Sequence, residues 1–198
     1  MRTITTVFLA LAFTLAVVAQ GYKFEIDTQT PEGQLLQKAG QASSDADKIA
    51  AYEEFLAKYP QHPGVVYAWN QVQPLHLKAG ALDKVITAAA AILPADPENS
   101  PAAYHALQAA AQKGDVPAII LWANRTVDAA KKVIESKKPE DEGEAAAWTA
   151  NADFAKQVIA RCEYSFYASA LKSTDPAGIA ALYDGLEKTN AQSQYIPM

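Results

Sequence analysis

Three histidines and one cysteine are the residues of this 198-residue chain with the most chemistry to offer. His62, His76 and His105 could bind zinc or move protons, and Cys162 could act as a nucleophile. Their spacing supports neither role. A helical zinc site needs a pair such as His-x-x-x-His or Cys-x-x-Cys, which sets two ligands on one face, and the sequence contains neither. His76, beside leucines in "PLHLK", reads as a core or boundary residue, while His62 reads as a solvated turn residue. Cys162 lies in "ARCEYSFYASA", an apolar-periodic segment with nothing beside it to activate a thiol, so a buried inert cysteine is expected. There is no glycine-rich phosphate loop and no G-x-S-x-G elbow, and the carboxylates fall in solvated clusters rather than in a matched acid–base pair. "NRT" at 124–126 matches a glycosylation acceptor, but it falls on an expected helix and reads as accidental. The expectation is a protein without catalytic residues, metal or cofactor.

The elements that carry these residues follow from composition. Residues 1–19 hold one basic residue, Arg2, and an apolar run from Val7 to Ala19, with Val17 and Ala19 as the small residues before a cut. That pattern reads as a signal peptide removed after Ala19, with an uncleaved N-terminal anchor as the alternative. The run is shorter than the roughly 20 apolar residues of a membrane span. The mature chain is expected to be exported, to the periplasm or the medium. Its negative charge, −5 for the whole chain, argues against nucleic acid as a partner, because phosphate binding needs a clustered basic surface. Cys162 is the single cysteine, so packing rather than disulfides must hold the fold. Alanine occurs 41 times and glycine nine times, a balance that favours closely packed helices over strands. Strand-like alternation occurs once, in "YKFEIDT" at 22–28. A single such run reads as an extended N-terminal arm over 20–30, followed by one helical domain over 31–198.

A period organises that domain. "FLAKYPQHP" and "AAILPADP" both end in Pro-x-x-P, and Pro60 and Pro63 recur 34 residues later as Pro94 and Pro97. Gly80 recurs at the same interval as Gly114. After each glycine the apolar phase matches: Leu82 with Val116, Val85 with Ile119, Ile86 with Ile120, and Ala89 with Ala123. Stepping back by the same interval from Val85, Ile86 and Ala89 reaches Ala51, Tyr52 and Phe55. Each set has the i, i+3, i+4, i+7 spacing of one buried helical stripe, and a common period of this length signals stacked helical hairpins. The Pro-x-x-P segments then read as corners between hairpins, not as polyproline ligands.

Helices are expected over 31–42 and 45–59, 65–79 and 81–93, 100–113 and 115–136, and 143–172 and 176–189. Thr30-Pro31, Ser44 with Asp47, Ser100-Pro101 and Asp175-Pro176 supply N-caps, and Gly80 and Gly114 supply helix ends. Pro74 falls inside a helix and should kink it. The interval from Asp115 to Asp175 is 60 residues rather than 34, so two helices overrun the period. The lysines at 131, 132, 137 and 138 and the acids at 140–144 between them read as a solvated turn whose charges suit the helix dipoles.

With Gly80 in the turn of a hairpin, this pattern resembles the tetratricopeptide repeat family. Trp69 falls on its first-helix tryptophan, Val85 on its small second-helix position and Pro97 on its closing proline. Gln73 departs from the family, standing where a close-packing glycine or alanine is usual, and Pro74 follows it. The resemblance implies an all-α fold of antiparallel hairpins, about four of them, stacked as a right-handed solenoid whose concave groove is lined by first helices. Groove positions map to Tyr67, Asn70, Leu77 and Lys78, then Tyr104, Gln108 and Gln112, then Arg161, Tyr164 and Lys172. Such a surface implies a non-catalytic module that docks a peptide or protein partner. The alternative is an enzyme or small-molecule binder on the same scaffold, with Trp69, Tyr104, Trp122 and Trp148 lining a pocket.

Overall fold

The apolar stripes read from the sequence fold as helices. The computed structural model describes residues 14–19 and 22–196, and the chain divides into two compact units at Val65/Val66. The first thirteen residues of the expected signal peptide, and the residue that would follow the cut, lie outside the described residues. Among the described residues no helix is long and apolar enough to cross a membrane.

The first unit holds a strand pair and one helical hairpin. The alternating run is strand β2, Tyr22–Asp27, but it is not a lone arm. It pairs antiparallel with β1, Thr14–Ala19, in a register that sets Thr14 opposite Asp27 and Ala19 opposite Tyr22. The apolar run read as the end of a leader thus supplies a strand partner. Helix α1, Pro31–Gln41, starts hard against the end of β2. Thr30 caps it by accepting from the Gly33 amide at 3.2 Å, while its own hydroxyl donates to the Asp27 carbonyl at 2.9 Å. The approach is so close that a Cβ on Gly33 would lie 1.9 Å from the Asp27 carbonyl oxygen, so only glycine fits. Helix α2, Asp45–Lys58, has the expected capping box: Ser44 accepts from the Asp47 amide at 3.1 Å and donates to its carboxylate at 2.7 Å. Ala51, Tyr52 and Phe55, the residues reached by the period, are buried. His62 is not the solvated residue expected. Its ring packs edge-on against Phe55, with centroids 5.3 Å apart, and its Nδ1 accepts from the Gly64 amide at 2.9 Å.

The second unit carries six helices: α3 (Val65–Lys78), α4 (Leu82–Ile92), α5 (Ser100–Lys113), α6 (Val116–Glu135), α7 (Glu142–Lys172) and α8 (Pro176–Thr189). Sequential neighbours pack from α4 onwards; α5 also meets α7, and α6 meets α8. Gly80 and Gly114 adopt left-handed φ values of 72° and 68°. In both places the next residue bonds back across the turn, Ala81 to the His76 carbonyl at 2.9 Å and Asp115 to the Ala110 carbonyl at 3.2 Å. This is one Schellman stop used twice, 34 residues apart. Val85, Ala89, Ile119 and Ala123 are fully buried, as their shared phase requires. Helix α5 presents Ala102, Ala103, Ala106, Ala109 and Ala110 to the core, and these small side chains let α4, α6 and α7 come close. Asn99, one residue earlier than expected, is the cap of α5; its Oδ1 accepts from the Ala102 amide at 3.0 Å. Pro74 does lie inside α3, on its exposed side. At the other end α8 docks against α7 through Gly185, whose hypothetical Cβ would meet the buried Phe166 ring at 2.7 Å.

Candidate functional site

Helices α5 and α7 run side by side and leave a recess of about 250 Å³ between them. It is lined by Tyr104, Gln108, Ala111 and Gln112 of α5 and by Tyr164, Ser165, Ala168, Ser169 and Lys172 of α7. On α5 the spacing 104, 108, 111, 112 keeps one face turned into the recess, and on α7 the steps 164/165, 168/169, 172 do the same. Five groove residues inferred from the sequence meet here: Tyr104, Gln108, Gln112, Tyr164 and Lys172.

The recess has a defined polarity. Tyr104 packs edge-on against Phe154, with centroids 6.4 Å apart, and the Arg161 guanidinium lies 5.9 Å from the centre of the same Phe154 ring. Burial pushes the Tyr104 hydroxyl above the usual tyrosine pKa, and the charge of Arg161 beside it pulls partly back. Tyr104 is therefore a neutral hydrogen-bonding group at any physiological pH. Arg161 thus stands at the head of the recess, and Lys172 lies eleven residues further along α7, about 16 Å by helical rise. No carboxylate lines the recess among the described residues. The amides of Gln108 and Gln112 make no hydrogen bond to described residues, which leaves four donor and acceptor groups facing outward. Tyr164 is 55% exposed, a high value for a tyrosine on a packed helix. Its ring is steadied by Tyr195 of the C-terminal segment, with centroids 5.9 Å apart, and Tyr195 in turn stacks on Tyr167 at 5.1 Å. Nothing in the periodicity pointed to Tyr195.

The α3 positions stand apart from this recess. Asn70 is committed internally: its Nδ2 donates to the Val66 carbonyl at 3.0 Å and its Oδ1 accepts from Asn99 Nδ2 at 2.9 Å. That pair ties α3 to the corner before α5. Tyr67 is half-buried and Lys78 exposed, and neither lines the recess.

The aromatic residues proposed for a small-molecule pocket do not converge. Trp122 is buried in the core with Ile119 and Phe166, and Trp148 donates from Nε1 to Ser136 Oγ at 2.8 Å. Of the four, only Tyr104 borders the recess. Cys162 and His105 likewise lie outside the lining of the recess. Cys162 is fully buried, and loss of solvent pushes its thiol up to about 12, only partly countered by Thr126. A thiol held neutral in this way is no nucleophile at physiological pH. His105 Nδ1 lies 3.2 Å from Gln73 Oε1, and burial lowers its pKa below the ordinary histidine value. Among the described residues no group of three His, Cys, Asp or Glu side chains could hold a metal ion. No protein family, curated protein or solved structure matches this chain.

Proposed function

We propose that the chain is a non-catalytic docking module whose α5–α7 recess binds an extended peptide segment of a protein partner. The single observation that carries this reading is the convergence of Tyr104, Gln108, Gln112, Tyr164 and Lys172 on one recess. Two free amides can pair with a peptide backbone, two tyrosines give flat amphipathic contact at little entropic cost, and Lys172 and Arg161 favour acidic side chains. The recess volume of about 250 Å³ supports this too. It falls below the roughly 300–1,000 Å³ of small-molecule pockets, but side chains of an extended chain can enter it. On this reading the hairpins α3–α4, α5–α6 and α7–α8 are tetratricopeptide-like repeats, with α6 and α7 overlong. Residues 1–19 direct the module out of the cytoplasm.

The test is a random-peptide display selection against the full chain, followed by fluorescence anisotropy with the strongest peptide. Replacing Gln108, Gln112 and Lys172 together by alanine should weaken that peptide at least about tenfold, a loss of roughly 1.4 kcal/mol. Binding should also weaken as salt rises, since both cations are exposed. Peptides that bind the triple variant as tightly as the parent would remove the recess from consideration.

A further inference from the structure

A second cleft, of about 380 Å³, lies between the corner that follows α4 and the outer stripe of α6. It shares no residue with the recess. One wall is apolar, built from Ala90, Leu93, Pro94 and Pro97. The other carries Arg125, Asp128, Ala129 and Lys132, spaced i, i+3, i+4 and i+7 so that all four look the same way.

Arg125 and Asp128, or Asp128 and Lys132, have the helical spacing of ion pairs, yet none of these three charges forms an ion pair with a described residue. Arg125 instead lies over Trp122, its guanidinium carbon 4.7 Å from the ring centre. That stacking occupies one guanidinium face and leaves the N–H edges free for a carboxylate. The wall thus offers two cations around one anion, within about 10 Å along the helix.

We infer that this cleft binds a free α-amino acid with an apolar side chain. The α-carboxylate meets the free guanidinium edge of Arg125, the α-ammonium meets Asp128 three residues on, and the side chain rests on Leu93, Pro94 and Pro97, with Lys132 adding positive charge at the far end of the same wall. Each simpler ligand leaves a mismatch. An apolar carboxylate without the amine meets Asp128 unpaired, and an apolar amine meets two cations. A peptide separates its two terminal charges and cannot present both from one carbon. The cleft volume lies inside the roughly 300–1,000 Å³ range of small-molecule sites, unlike that of the recess.

The experiment is a ¹H–¹⁵N NMR titration of the full chain with L-phenylalanine, 3-phenylpropionate and phenethylamine in parallel. L-Phenylalanine should shift amides in 90–97 and 125–132 with a Kd of about 1 mM or tighter, and both analogues should bind at least about tenfold more weakly. Arg125→Gln and Asp128→Asn are exposed substitutions whose folding a far-ultraviolet spectrum checks, and each should weaken L-phenylalanine by a similar factor. Lys172→Ala, in the recess, should leave it unchanged. Absence of shifts, equal binding of 3-phenylpropionate, or binding indifferent to Arg125→Gln would each overturn the assignment.

Discussion

Gln73 is the residue whose replacement most sharply tests the packing logic of the second unit. It is 1% exposed on α3, and its Nε2 donates to two carbonyls, Val85 on α4 at 3.1 Å and Ala102 on α5 at 3.0 Å. With both N–H groups used, its Oε1 must accept, so His105 carries its proton on Nδ1 to complete the 3.2 Å contact. One amide therefore clasps three helices. Val85 and Ala102 lie inside α4 and α5, where carbonyls also accept the helical bond from four residues on, so removing the amide does not orphan them. Each lost bond then costs about 1 kcal/mol net, giving about 3 kcal/mol for the three. Gln73→Ala adds roughly 0.8 kcal/mol for the lost methylene and a further cost for the void, so about 4 kcal/mol is expected. Gln73→Leu loses the same bonds but regains about 1.5 kcal/mol by burying apolar groups in the same space, so about 1–2 kcal/mol is expected. The assay is urea unfolding followed by far-ultraviolet circular dichroism, where the midpoint should fall with little change in slope. A Gln73→Leu protein as stable as the parent, with Gln73→Ala within about 1 kcal/mol of it, would refute the clasp.

Two further outcomes follow from the buried titratable groups. His105 has a folded pKa below its unfolded value of about 6.5, so the unfolded state binds the proton first on acidification. Its contribution is complete above about pH 6.5 and is lost as pH falls towards the folded pKa; unfolding midpoints measured from pH 8 to 5 should drop less steeply in His105→Gln, and parallel curves would contradict this. Cys162, with its pKa at about 12, should react with a disulfide reagent at pH 8 at least roughly a thousandfold more slowly than a free thiol and at the ordinary rate in urea; prompt reaction of the native chain would show it is not held as described.

The helical skeleton was legible because its signals are local and repeat. A glycine that must take a positive φ, a proline that cannot continue a helix and a stripe at helical spacing each act within a few residues, and the 34-residue interval aligned them. Asn99 shows where that stops. Asn99 and Ser100 both precede Pro101 and both can cap, and the choice fell to Asn99, whose Nδ2 also reaches Asn70 on α3 and Asp96 at 2.9 Å each. A contact 29 residues away in sequence decided a local question. Gln73 was visible as a departure from the family pattern, but its two carbonyl partners lie on helices that no periodicity joins to it. The charged wall of the second cleft was hidden for a different reason. Arg125, Asp128 and Lys132 look like any solvated helix face until the corner at Leu93–Pro97 is seen opposite them.

The break in the period has a structural purpose of its own. Helix α6 has 20 residues where α4 has 11, and α7 has 31 where α5 has 14. These extensions hold the whole excess of the 60-residue interval over 34, so the charged join at 136–141 is a short turn and the insertion is helical. The added turns pack on one another through Ala130 and Val133 of α6 and Ala152, Ala155 and Val158 of α7, a small core beyond the repeat. Tyr104 and Phe154 lie against that core, which fixes the pair at the head of the recess, and Arg161 lies over Phe154. A regular 14-residue α7 would end the recess at Tyr104 without its aromatic partner. The irregularity in the sequence is thus what sets an aromatic partner and a positive charge beside Tyr104 at one end of the α5–α7 recess, while Lys172 lines the other.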